Sequence, residues 1–214
     1  MACTRLILLG PPGSGKGTQA KRLSDTLKTA HVSTGDMLRE ARAAGTELGR
    51  KAGECMDAGR LVPDAVVIGL VAERLRKPDC EPGFVLDGFP RTVAQAEALD
   101  AAGVGVNCVI DIDVADEEVV SRLGGRRSCP QCGRVYHVEV APSKDGTHCD
   151  GCGAGLVTRP DDVEDTIRAR LKVYHEKTAP LAAYYRGKGL LKTVESVGGP
   201  DAVFGKVLNA IGAR

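Results

Sequence analysis

Four short apolar runs punctuate the chain at wide intervals, and amphipathic stretches fill the gaps between them. Strands are predicted over residues 5–9, 84–87, 107–113 and 191–195. Helices are predicted over 16–27, 36–44, 47–58, 63–76, 93–102, 116–123, 163–185 and 200–211. The stretch Asp64-Ala-Val-Val-Ile-Gly-Leu-Val-Ala-Glu-Arg-Leu repeats its apolar residues at helical spacing, and Pro63 suits a first helical position. Alternating strands and helices argue for an α/β fold, a parallel sheet covered by helices on both faces. Such sheets gather ligands at the carboxyl ends of their strands.

Two stretches break this alternation. Residues 34–62 hold two helical segments and no strand. Residues 125–160 lose the helical period and contain four cysteines, six glycines and three prolines. Both read as insertions into one core. The expected division is therefore a core of 1–32, 63–124 and 161–214, an insertion over 33–62, and a second over 125–160.

With 214 residues, 43% of them hydrophobic, the chain can bury one sizeable core. A net charge of +1 gives no global attraction to nucleic acid or membrane, so basic clusters must be read locally. The start, Met1-Ala2-Cys3-Thr4-Arg5, has no signal-peptide pattern, and no apolar run approaches the roughly 18 residues of a membrane helix. A cytoplasmic protein is expected, and in that reducing compartment eight cysteines are not expected to form disulfides.

The most specific local signal is Gly10-Pro-Pro-Gly-Ser-Gly-Lys-Gly-Thr18, between a strand and a helix. Its backbone N–H groups and the following helix N-terminus form an anion site. Gly13, Ser14, Gly15, Lys16, Gly17 and Thr18 are the candidate phosphate-binding residues, with Lys16 as the point charge. The general pattern sets Ser or Thr directly after the lysine as a magnesium ligand. Gly17 stands there instead, so another residue must serve the metal. Asp87 ends a strand before Gly88 and Pro90 and is the candidate, directly or through water.

Cys129-Pro-Gln-Cys132 and Cys149-Asp-Gly-Cys152 are two knuckles with sixteen residues between them. Together they make a closed tetrahedral thiolate site, structural rather than catalytic, for Zn²⁺, with iron, which tetrahedral sulfur also suits, or two disulfides as the alternatives. His137 is a further ligand candidate, although four thiolates fill the site. Cys3, Cys55, Cys80 and Cys108 read as small buried hydrophobes. The second insertion also carries Arg126, Arg127, Arg134 and Lys144, but only Tyr136 could serve as a stacking platform. Nucleic acid is not an expected partner.

Ser33-Thr-Gly-Asp-Met-Leu-Arg39 opens a helix, with Thr34 or Asp36 as its expected cap. Arg122 and Arg126 precede the cysteine insertion and Arg159 and Arg170 follow it, framing a module over the phosphate loop. Arg168 and Arg170 stand two apart on a helix and must face different ways.

These segments, with Leu-Asp-Gly-Phe-Pro-Arg-Thr (86–92), Gly-Arg-Arg-…-Gly-Arg-Val-Tyr-His (125–137) and Arg-Pro-Asp-Asp (159–162), resemble the adenylate kinase family along essentially the whole chain. The long insertion resembles that family's zinc-bearing bacterial lid. The resemblance implies a P-loop NTPase-type core, an inserted NMP-binding module and exchange of ATP plus AMP with two ADP, using Mg²⁺. It implies that Lys16 and Arg122 hold ATP phosphates and that Arg39 and Arg91 hold the AMP phosphate. Arg126, Arg159 and Arg170 would close on ATP and the transferring phosphate. Arg159 and Arg170 also belong with the AMP side, as do Gly88 and Thr34. Gln95 would read the adenine edge, and the backbone of Leu61 and Val62 would line its pocket. No general base is implied, and a monomer is expected. The base of the donor stays open between ATP and GTP, and a UMP/CMP kinase is the nearest alternative. A switch GTPase would need an Asn-Lys-x-Asp segment, which the chain lacks.

Overall fold

The computed structural model describes residues 3–213; Met1, Ala2 and Arg214, at the ends of the expected core segments, lie outside them. Its centre is a five-stranded, all-parallel sheet. The strands are β1 (Arg5–Leu9), β2 (Ala30–Ser33), β3 (Phe84–Asp87), β4 (Cys108–Asp113) and β7 (Leu191–Glu195), in the order β2-β3-β1-β4-β7. The chain fills one side of β1 with β2 and β3, then crosses to β4 and β7 on the other. That reversal opens a crevice at the carboxyl ends of β1, β3 and β4.

The central strands are apolar on both faces because both are covered. Leu6 and Leu8 of β1 pack with Leu23 of helix α1 (Lys16–Leu27) and Val203, Val207 and Ile211 of α9 (Pro200–Ile211). Ile7 and Leu9 pack on the opposite face. There they meet α4 (Asp64–Leu75), α5 (Val93–Ala101) and α8 (Pro180–Gly187) through Val67, Val71, Ala96, Leu99 and Leu181. Each such fully buried aliphatic side chain contributes about 2 kcal/mol of transfer free energy.

Strand β2 is absent from the sequence expectation. Its four residues, Ala-His-Val-Ser, carry two apolar side chains, too few to reveal a period; it is an edge strand held by pairing with β3. Helices α2 (Thr34–Ala43) and α3 (Glu47–Asp57) fill the first insertion. Helix α6 (Asp116–Gly124) leads into the second, where β5 (Arg126–Ser128) and β6 (Val135–His137) form a small antiparallel pair. Three-residue strands leave no readable alternation, and neither was expected.

The helix expected over 163–185 is three pieces. Helix α7 (Glu164–Val173) runs into a π-helical turn, Tyr174–Thr178, and then α8. Pro180 is the cause. It has no N–H to continue the ladder, so the backbone widens and Ala179 N donates to Tyr174 O at 2.9 Å. Among the described residues, no helix is long and apolar enough to cross a membrane.

Candidate active site

The loop between β1 and α1 places three glycines, Gly10, Gly13 and Gly15, at positive φ, and two of them also leave no room for a side chain. Gly10 has φ 135°, and a Cβ there would lie 2.4 Å from Ile112 O. Gly13 has φ 75°, and a Cβ there would lie 2.8 Å from Leu123 Cγ. Helix α1 begins after Gly15 with no side-chain cap, so its first N–H groups are left to the loop. Lys16 Nζ folds back over it, donating to Gly10 O at 2.7 Å and Pro11 O at 2.6 Å. Ser14 is buried beneath, while Gly17 and Thr18 are exposed on the first turn of α1.

Asp87 ends β3 level with Leu8 of β1 and Ser33 of β2. A Cβ on Gly17 would lie 3.2 Å from Asp87 Oδ2. A side chain at 17 would therefore crowd this carboxylate, which stands beside the position where the general pattern has a hydroxyl. An oxygen ligand at a phosphate site fits magnesium's donor preference. His31 Nε2 lies 3.7 Å from the same Oδ2.

The cationic side chains meet at this edge from four segments. Arg39 projects from α2, paired with Asp36 at 2.5 Å. Arg91 donates through Nε to Gly88 O at 2.8 Å. Arg126 grips Asp162 in two-point geometry, 2.7 Å and 2.5 Å. Arg159 donates to Ser128 Oγ at 2.8 Å. Arg170 reaches Asp161 Oδ2 at 2.9 Å and Asp162 Oδ1 at 3.3 Å. Their charges act on one another. Burial pushes Lys16 down to about 7; Asp87 opposes that shift, while Arg91 and Arg170 add to it. Burial, then Arg126 and Arg39, pushes Arg159 down to about 10. Burial likewise lowers Arg91 and Arg170, which repel each other and Arg39. Burial raises the Asp161 carboxyl, but Arg170 and Arg126 outweigh it and hold the group below its usual range. The site thus gathers Lys16 and five arginines. Arg39, Arg126 and Arg170 are paired with carboxylates, while Arg91 and Arg159 have no carboxylate bond among the described residues, an excess of positive charge suited to a polyphosphate.

Arg122 stands one step back. It donates to Ser196 Oγ and Ser196 O, both at 2.8 Å, and Ser196 Oγ donates to Ser14 O in the loop at 3.3 Å. Arg168 pairs with Glu164 in solvent while Arg170 turns inward, so the two part as expected. The cap of α2 differs from expectation: Ser33 Oγ accepts from Asp36 N at 3.3 Å. Thr34 is buried instead, donating to Gly88 O at 2.9 Å. Leu61 and the buried Val62 lie in the link between α3 and α4. Gln95 is buried at the start of α5, its Oε1 accepting from Arg91 N and its Nε2 donating to Asp64 Oδ1, both at 2.7 Å. Sequence reading passed over Asp64, Ser196 and Thr178, whose Oγ1 donates to Arg91 O at 2.9 Å. An acid in the first turn of a helix reads as a dipole partner, and lone hydroxyls carry no pattern.

Cys129, Cys132, Cys149 and Cys152 bring their sulfurs within 4.8 Å of one another. The Cys129–Cys152 and Cys132–Cys149 separations are 3.4 Å and 3.5 Å. A tetrahedral Zn²⁺ site with about 2.3 Å bonds spaces its sulfurs about 3.8 Å apart, so the cluster fits. Backbone N–H groups of Cys132 and Gly151 donate to Cys129 and Cys149, each at 3.4 Å, which favours thiolates. His137 stands outside the cluster; its Nδ1 accepts from Glu139 N at 3.1 Å.

A sequence model described as adenylate kinase matches residues 8–190. The adenylate kinase of Archaeoglobus fulgidus is 55% identical, over 94% of this chain and 95% of its own length. The chain belongs to the adenylate kinase family. That of Moorella thermoacetica is 54% identical, over 97% of this chain and 98% of its own. That of a Geobacter species is 53% identical, over 97% and 99%. Family membership at this coverage makes the chain a nucleoside monophosphate kinase.

Proposed function

We propose that the chain transfers the γ-phosphoryl group of Mg-ATP reversibly to AMP, giving two ADP. The observation that carries this reading is the convergence of Lys16, Arg39, Arg91, Arg126, Arg159 and Arg170 on one strand edge. Mg-ATP and AMP together bring roughly four negative charges, which relieve the repulsion among these cations. Lys16 and the N–H groups of Gly13, Ser14, Gly15, Gly17 and Thr18 hold the ATP phosphates, with Arg122 and Arg126 beside them. Arg39 and Arg91 hold the AMP phosphate, with Thr34 and Gly88 shaping its seat. Arg159 and Arg170 reach both nucleotides. Leu61, Val62 and Gln95 receive the adenine of AMP.

An oxygen of the AMP phosphate forms the new bond to γ-phosphorus, and the bridging oxygen leaves with ADP. That nucleophile is already ionised near pH 7, so no residue needs to remove a proton. Catalysis is positioning and charge stabilisation. Asp87 would hold Mg²⁺ through water; the ion, when bound, neutralises developing charge on the β- and γ-oxygens. The four thiolates would hold Zn²⁺, which supplies rigidity alone, because a closed site has no position for substrate. Residues 125–160 act as a lid and 33–62 as the AMP-binding module over a core of 1–32, 63–124 and 161–214. Closure excludes the water that would otherwise hydrolyse ATP. Cysteines without disulfides suit a reducing cytoplasm, and the enzyme works there as a monomer.

The test is ADP formation from ATP offered AMP, UMP, CMP and GMP in turn. AMP should exceed the others by at least about a hundredfold in kcat/KM. Comparable use of UMP or CMP overturns the assignment of substrate.

A further inference from the structure

The amide of Gln95 is held by two partners whose roles cannot be exchanged. Arg91 N–H can only donate, so it takes Oε1 at 2.7 Å. The Asp64 carboxylate can only accept, so it takes Nε2 at 2.7 Å. Asp64 is itself fixed, since its second oxygen accepts from Thr92 Oγ1 at 2.9 Å. Thr92 in turn caps α5, accepting from Gln95 N at 3.2 Å. Asp64 opens α4, two residues after Val62, so one carboxylate ties the Leu61–Val62 link to the start of α5. Among the described residues, one Nε2–H and one lone pair of Oε1 are left over.

We propose that Asp64 is a positioning residue that locks the Gln95 amide in one orientation and so selects adenine over 6-oxo purines. This rests on the reading of Gln95 as the contact to the AMP base. Adenine presents a donor at position 6 and an acceptor at N1. A locked amide meets these with its remaining Oε1 lone pair and Nε2–H. Hypoxanthine and guanine present the reverse, an acceptor at position 6 and a donor at N1. They need the amide turned over. Turning it would set Nε2 against the Arg91 N–H and Oε1 against the Asp64 carboxylate, two like pairs in a buried place.

Asp64→Asn keeps the shape and releases the Asp64 side of the lock, because an asparagine side chain can turn with Gln95 and donate to a turned-over Oε1, which alanine cannot do; the Arg91 N–H is unchanged in both variants. The expected result is a fall of about tenfold or more in the ratio of kcat/KM for AMP to that for IMP. The fall should come mainly from a lower KM for IMP, a gain that loss of structure does not produce. Asp64→Ala, with melting followed by circular dichroism, should lower the ratio less, because alanine offers a turned-over Oε1 no donor. Gln95→Leu separates the two layers. If it lowers the ratio while Asp64→Asn leaves it unchanged, or lowers all monophosphates equally, the lock is refuted and the base contact stands. If Gln95→Leu leaves the ratio unchanged, the base contact falls and the lock with it.

Discussion

Lys16 shows how much one residue carries. Its amine, pushed down to about 7 by burial, keeps a proton poorly in the folded protein. Between that value and the ordinary 10.5, the unfolded chain binds the proton and the folded chain does not. Stability attributable to Lys16 therefore rises with pH across this window, and its penalty is full below about 7. Comparing denaturant unfolding of the parent and Lys16→Met from pH 6 to 10 should show the parent gaining on the variant by roughly 2–4 kcal/mol. A flat difference would rule out the buried, deprotonating lysine. Lys16→Met should also lose about a hundred- to thousandfold in kcat, the effect of removing one preorganised charge contact. Turnover within tenfold of the parent would remove it from the machinery. Gly10 makes the complementary point about backbone. Gly10→Ala must fit a methyl 2.4 Å from Ile112 O at φ 135°, and should destabilise by about 2 kcal/mol or more in thermal unfolding.

At the scale of elements, the sequence was most readable where burial imposes a long pattern. Strands β1, β3, β4 and β7 and most helices followed from apolar runs and periods. Strand β2 did not, because an edge strand of four residues shows its one apolar face through Ala30 and Val32 alone, with His31 and Ser33 on the other face, too short a run to read as a period. The split of the 163–185 helix was written in Pro180, but the apolar period on both sides hid it. The site was legible as residue types in motif order. Its supports were not, because Asp64, Ser196 and Thr178 act through contacts 31, 74 and 87 residues away along the chain. The cysteine knuckles lie at the readable extreme, since ligand spacing is local. The element they build has one small cluster of its own, Cys129, Tyr136 and Cys149 with Ala154 and Leu156 against it. Chelation or Cys149→Ser should therefore loosen it, as faster amide hydrogen exchange over 125–160, with the β1–β4 amides unaffected. Activity should persist at low temperature. Unchanged exchange in metal-free protein would argue against a structural metal.

For the molecule as a whole, the cationic edge couples stability to occupancy. A non-hydrolysable ATP analogue with AMP should raise the melting temperature, by an amount that grows with the logarithm of concentration and shrinks with added salt. A salt-independent shift would mean that charge neutralisation is a minor part of binding. The second insertion is tied to this edge at its base. Arg126 meets Asp162 across its base, Ser128 pairs with Val157, and Arg159 bonds to Ser128. The chain leaves and returns through this clasp, so the sheet beneath does not depend on how long the excursion is. In evolutionary terms the excursion is a cassette. A lineage could shorten it to a turn, or exchange its metal site for an apolar or hydrogen-bonded core, without redesigning β1 to β7 or moving the arginines of the clasp. Any requirement for a metal at the four thiolates would then be a trait of the cassette, open to loss where the metal is scarce, and separate from the sheet and the clasp arginines.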